Sequence, residues 1–168
     1  MIAARKAILA LLISVCLQAP ARAETPEEWI ALGTRIHGFF GAFIPAGIRI
    51  GLDARERLKA EPRELAVVYY SGEKAPCPCV VDGIMLATVA SPGQGTLQVS
   101  ADKAPAGAMG VAVIRSRKSG TALKYTIAEE WIGKLLEINK AHDPHGRYDA
   151  VMSAKDLFSV EAMGAENR

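Results

Sequence analysis

The segment that most constrains the fold of this 168-residue chain is residues 75–97, A-P-C-P-C-V-V-D-G-I-M-L-A-T-V-A-S-P-G-Q-G-T-L. Its apolar run at helical spacing predicts a helix over residues 80–89. A Pro-Gly-x-Gly turn follows and leads into a strand through Leu97 and Val99. Two cysteines and an acid lie at the start of this helix. The segment therefore predicts a helix, turn and strand unit that carries reactive side chains.

The remaining segments predict one α+β domain, in which a mixed β-sheet is covered by helices and the N-terminus forms a helical pair. The first helix should begin with Thr25 as N-cap and Glu28 in a capping box. Beyond it we expect helices over residues 45–59, 128–141 and 148–152 and strands over residues 65–70, 109–116, 122–127 and 157–162.

The N-terminus has the layout of a secretory signal peptide. Two early basic residues, Arg5 and Lys6, precede an apolar run over residues 7–17 and an Ala-x-Ala site that ends at Ala23. The run is shorter than the roughly 20 residues that a transmembrane helix needs. We therefore expect residues 1–23 to be removed and the product to have no stable membrane insertion.

An alternative interpretation is a lipoprotein signal at Cys16, but the bulky Val15 stands where a small residue is preferred.

With cleavage after Ala23, the domain should span residues 24–164, with residues 165–168 as a tail. The expected location is the bacterial periplasm.

The charge of the processed chain argues against nucleic acid as a partner. The formal charge of the whole chain is +2, and it becomes −1 with the signal removed, because three basic residues and no acid are lost. A near-neutral chain without a basic stripe lacks the electrostatic footprint of a nucleic-acid-binding protein.

The cysteines of the processed chain are Cys77 and Cys79, separated by Pro78. An exported protein meets an oxidising compartment, where paired cysteines tend to form disulfides. A ring that encloses one proline should be strained, so we expect the thiols to be free. Cys79 at a helix start would feel the positive end of the helix dipole, which favours a metal-binding or nucleophilic thiolate. The alternative is that both are small residues packed at a helix start.

Four other residues are candidates for the site. Asp82 would lie within one turn of Cys79 and could bind a ligand, or simply complement the helix dipole. His37 is the histidine with apolar neighbours, which suits a metal ligand or a buried capping residue. Gly93 and Gly95 predict a tight turn whose backbone amides line a nearby cleft.

The central segment resembles the signature of the formylmethanofuran dehydrogenase E-subunit-like family. Residues 79–84 with Thr88 are similar to its Cys-x-x-Asp-x-Ile helix start, and residues 93–97 to its Gly-Lys-Gly-Asn-Leu turn. Upstream, residues 36–38 and 45–51 are similar to its His-Gly-His-x-Cys-Pro-Gly segment and the helix that carries it. The resemblance covers roughly residues 34–125.

The resemblance implies a single α+β domain, often a homodimer, that binds a metal, usually zinc, near the N-terminal motif and the central cysteine. His37 matches the first motif histidine and Cys79 the central cysteine. Phe39 stands at the second histidine and the motif cysteine is lost, although Cys77 could supply another thiolate.

Three functions follow as hypotheses. The first is a protein that binds a small molecule or a metal ion, with zinc or another transition metal as cofactor, in a cleft lined by His37, Cys77, Cys79 and Asp82. The second is an enzyme with Cys79 as thiolate nucleophile or redox centre and His37 as its base. The third is a non-catalytic accessory module of an exported redox system, in which the cysteines are incidental.

Overall fold

The computed structural model describes residues 23–164, so the expected signal up to residue 22 and the tail lie outside the described residues. The helices of this part are α1 (Pro26–His37), α2 (Phe43–Leu58), α3 (Val80–Thr88), α4 (Trp131–Ala141) and α5 (Pro144–Met152), with a short 3-10 helix at Pro92–Gln94. The strands are β1 (Leu65–Ser71), β2 (Leu97–Val99), β3 (Ala108–Ser116), β4 (Ala122–Ala128) and β5 (Ser159–Met163).

The strands form one mixed sheet in the order β2-β1-β3-β4-β5. Strand β1 pairs in parallel with β2, and all other neighbours are antiparallel. The parallel pair is joined through α3, which is the crossover that a parallel pairing requires. The α+β fold with a mixed sheet, predicted from the sequence, is confirmed.

The main core lies between one face of the sheet and the helices. Alternate residues of β1, namely Leu65, Val67 and Tyr69, are buried on this face. The opposite face carries a smaller cluster around Val111 and is covered in part by Ala104 from the loop before β3. The helices thus gather on one side of the sheet, where their ends can meet.

Helix α1 begins and ends at sequence signals. The Thr25 side chain accepts a hydrogen bond from the Glu28 backbone N–H at 3.3 Å, and the Glu28 carboxylate accepts one from the Thr25 N–H at 2.7 Å. This confirms the predicted capping box. Gly38 ends the helix with φ +82°, a conformation that glycine adopts without strain. His37 is consequently the last helical residue.

Helices α2 and α3 approach each other through two glycines. A Cβ added to Gly47 would collide with the Val80 carbonyl oxygen, and one added to Gly83 would collide with the Ile44 carbonyl oxygen. The two backbones can approach this closely only because neither position has a side chain. This contact fixes where the start of α3 lies relative to α2.

A partly buried hydrogen bond attaches α2 to the sheet. The Tyr125 hydroxyl on β4 donates to the Asp53 carboxylate on α2 at 2.7 Å. Burial and this bond raise the pKa of Tyr125. Asp53 also accepts from Arg57 at 2.7 Å, so its charge is balanced.

Two helices begin earlier than the sequence predicted. Helix α2 starts at Phe43, so Pro45 lies in its first turn, where proline removes no helical hydrogen bond. Helix α5 starts at Pro144, and the Asp143 side chain accepts from the Gly146 N–H at 2.8 Å. Within residues 23–164, no helix has the length and apolar character that crossing a membrane requires.

Candidate functional site

The end of α1 and the start of α3 border one small pocket. His37 from α1 and both Cys77 and Cys79 from the α3 entry line it, and its volume is about 170 Å³. His37 precedes the two cysteines by 40 and 42 positions, and the contacts of α3 with α1 and α2 bring them together. The pocket is therefore the candidate functional site.

A short hydrogen bond joins the pocket residue His37 to Asp82 on α3. His37 Nδ1 lies 2.8 Å from Asp82 Oδ2. An ionised carboxylate only accepts hydrogen bonds, so the imidazole carries its proton on Nδ1 and donates it to Asp82. Each side chain keeps somewhat less than a third of its surface exposed. Asp82 thus orients the His37 ring and leaves Nε2 free for another partner.

The expectation of two free thiols is wrong in this structure, because Cys77 and Cys79 are joined in a disulfide. Two residues of extended chain would separate the Cα atoms by about 7 Å. Here Cys79 is the N-cap of α3 and its backbone is already helical. The Pro78 carbonyl accepts from the Val81 N–H at 2.9 Å. This turn shortens the Cα–Cα distance to 5.3 Å, within the range that a disulfide bridges.

The disulfide determines whether the site has the donors to bind a metal ion. Sulfur ligates soft metals as thiolate, and neither sulfur of a disulfide is one. Among residues 23–164, no group of three or more His, Cys, Asp and Glu side chains is arranged to hold a metal ion. In the oxidised form the donor set therefore does not fit a metal. Reduction would add two thiolates to the free Nε2 of His37.

Apolar side chains form the rim of the pocket. Phe39 is 51% exposed, and the Arg147 guanidinium lies 4.8 Å from the centre of its ring. Leu136 on α4 is 39% exposed and also lines the pocket. Phe39 occupies the position at which the resemblance expects a second histidine. The rim therefore supplies apolar contact where a second imidazole was expected.

Asn139 is a pocket residue that the sequence did not indicate. Its Oδ1 accepts from the buried Ala42 N–H at 2.6 Å, and its backbone carbonyl accepts from Arg147 at 2.8 Å. These bonds tie α4 and α5 to the segment between α1 and α2. The apolar spacing of α4 predicts which of its residues face the core, and a single asparagine in that helix does not indicate this contact.

Gly93 and Gly95 lie away from this pocket. They belong to the turn after α3, and α3 itself has nine residues, so about 14 Å of helix separates this turn from Cys79. Gly95 adopts φ +63°, and no atom of the fold lies within 4 Å of a Cβ added at either glycine. The structure therefore accounts for them as turn residues, and it does not bring them to His37.

Comparison with known proteins agrees with the resemblance noted in the sequence. Residues 36–157 match the family described as "FmdE, Molybdenum formylmethanofuran dehydrogenase operon". This match includes α2, the whole sheet except β5, and every residue of the pocket. No curated protein matches the chain. Because the match covers well over half of the sequence, the chain belongs to the FmdE family.

Proposed function

We propose that this protein is an exported, periplasmic member of the FmdE family whose pocket binds a transition metal ion when Cys77 and Cys79 are reduced. The observation that carries the proposal is that His37 and both sulfurs line one pocket, with Asp82 orienting the imidazole. Histidine ligands of metals commonly donate their other N–H to a carboxylate, which is the arrangement of His37 and Asp82.

The donor types select the class of metal. One imidazole nitrogen and two thiolates suit zinc or copper(I) better than magnesium or calcium. Asp82 is already engaged with Nδ1, so its role would be to hold the ring rather than to bind the ion. A zinc ion held there would act as a Lewis acid on a bound oxygen.

The size of the pocket also favours a small occupant. Sites for drug-sized molecules have volumes of about 300–1,000 Å³. This pocket has about 170 Å³, which suits an ion with one or two small ligands or a molecule of few atoms. The apolar rim would shield such an occupant from bulk water.

Metal binding is tested by comparing the two redox states of one protein. Every variant carries Cys16→Ser, so that Cys77 and Cys79 are the only cysteines that can bind the metal even in a chain that keeps its N-terminal segment. The protein is reduced with a phosphine and freed of reductant without air, then given zinc or copper(I), and the bound metal is counted by elemental analysis. We expect about one ion per reduced chain and none per oxidised chain.

Two variants make this test specific. His37→Gln removes the imidazole and should abolish binding, and Asp82→Asn should weaken it about 10- to 100-fold through the orientation of His37. Lys134→Gln is the matched control. It alters the exposed ion pair with Glu130 and the contact of the ammonium with the Trp131 ring, and none of these residues lines the pocket. The proposal is refuted if the reduced chain takes up no metal, or if His37→Gln binds as tightly as the control.

Export is tested separately from metal binding. The chain is expressed in a bacterial host, and the mass of the protein recovered from the periplasm is measured. The proposal predicts a product that begins at Glu24. A chain that stays in the cytoplasm with residues 1–23 intact would contradict it.

A further inference from the structure

We infer that the disulfide between Cys77 and Cys79 takes part in thiol–disulfide exchange, with a thiol compound as the reactant. An incoming thiolate attacks the sulfur of Cys77, and Cys79 leaves as the thiolate. This activity goes beyond the proposed metal site, because it requires no metal. It also uses the oxidised form, in which neither cysteine is a thiolate that could bind a metal.

The first argument is the unequal exposure of the two cysteines. Cys77 is half-buried, whereas Cys79 is buried with 9% of its surface exposed. Exchange requires direct approach of the attacking sulfur to one sulfur of the disulfide. A thiol that enters from solvent therefore reaches Cys77 first.

The second argument is the location of the leaving group. Cys79 immediately precedes α3, a helix of nine residues, and its backbone is already helical. A negative charge at this end of a helix is stabilised by the aligned peptide dipoles. Departure of Cys79 as a thiolate is thus favoured over departure of Cys77, which lies outside the helix.

The third argument is that the disulfide borders a surface pocket as well as the core. The exposed rings and methyl groups of Phe39 and Leu136 lie on the rim of the same pocket. An organic thiol can pack its carbon atoms there while its sulfur approaches Cys77. A disulfide that only supported the fold would need no such access.

The reaction balances in two steps. In the first, the S–S bond of the protein breaks and a mixed disulfide forms between the thiol compound and Cys77, while Cys79 becomes a thiolate. In the second, another thiolate of the reactant attacks the reactant's own sulfur in the mixed disulfide and releases Cys77. Two substrate thiols are oxidised to one disulfide, and the two electrons reduce Cys77 and Cys79.

The test uses the oxidised chain with Cys16→Ser, in the presence of a metal chelator. One arm uses reduced glutathione as a small thiol, and the other uses an unfolded polypeptide with two free cysteines. The reaction is quenched with acid, free thiols are alkylated, and peptide mass spectrometry locates the mixed disulfide. We expect adducts on Cys77 to exceed those on Cys79 at least tenfold, and the arm that reacts faster identifies the source of the thiol.

Single-cysteine variants check the same asymmetry without the disulfide. An aromatic disulfide reagent is used at a pH of about 10, where both thiols are ionised and the rates compare access alone. Cys79→Ser, which keeps Cys77, should then react at least tenfold faster than Cys77→Ser. Lys134→Gln in the otherwise intact chain should exchange at the parent rate. Equal labelling of the two sulfurs, or no reduction by either thiol, would overturn the inference. Failure of metal binding would leave these rates unchanged, so the two proposals fail separately.

Discussion

Replacement of Gly47 by alanine tests whether the close contact of α2 and α3 holds the site together. The added Cβ would collide with the Val80 carbonyl oxygen and would lie 2.8 Å from the Ile84 nitrogen and 2.9 Å from the Gly83 Cα. Ordinary Cβ contacts begin at about 3.4 Å. The obstacles are backbone atoms, so no side chain can rotate away and α3 has to move as a unit.

The expected cost follows from this geometry. Overpacking of a filled core costs about 1–3 kcal/mol, and backbone obstacles indicate the upper end of that range. Alanine is a better helix former than glycine by about 1 kcal/mol, which offsets part of the cost. We therefore expect Gly47→Ala to lower the free energy of unfolding by about 2 kcal/mol. For a domain of this size that corresponds to a fall in Tm of about 4–8 °C.

Gly133→Ala in α4 is the matched control. No atom outside the helix lies within 4 Å of a Cβ added at Gly133, so only the gain in helix propensity applies and the change should stabilise by up to about 1 kcal/mol. Both variants are measured by thermal unfolding and by urea denaturation. If Gly47→Ala is as stable as Gly133→Ala, the contact between the helices is looser than described and the reasoning fails.

Two further predictions concern stability. Reduction of the disulfide between Cys77 and Cys79 should lower the free energy of unfolding by about 1.6 kcal/mol, because the disulfide closes a ring of only about three residues. Urea denaturation with and without reductant measures this difference. Loss of the fold on reduction would contradict the prediction. Asn139→Ala should lower the free energy of unfolding by about 1–3 kcal/mol, because the buried Ala42 N–H loses its acceptor. A change below about 0.5 kcal/mol in the same assay would show that this hydrogen bond contributes little.

Local signals explain which parts of the fold were predictable from sequence. The capping box of Thr25 and Glu28 lies within four residues, so its geometry is determined by the chain itself. The helix after Cys79 and the hairpin of β3 and β4 follow in the same way from apolar periodicity. Asp143 and Pro144 are a local signal of the same kind for the start of α5, four residues before the predicted start at residue 148.

The site depends on contacts that the sequence pattern does not contain. The bond between His37 and Asp82 joins residues 45 positions apart on two different helices. The spacing of Cys77 and Cys79 argued against a disulfide, since the turn at Pro78 that shortens the Cα–Cα distance is a property of the backbone. The first is a tertiary contact, and the second is a local backbone turn that the spacing of the cysteines alone does not determine.

The two proposals concern the same pair of sulfurs, so they are linked by mass action. A sulfur in the disulfide cannot ligate, and a metal that binds only the thiolates stabilises the reduced form by an amount that grows with its concentration. In the proposed periplasmic location, oxidising conditions would favour the disulfide and oppose metal binding unless a thiol compound reduced Cys77 and Cys79 first. The hydrogen bond from His37 to Asp82 involves neither sulfur. It can therefore hold the imidazole in place in both redox states, and the thiols alone decide whether the pocket has the donors for a metal.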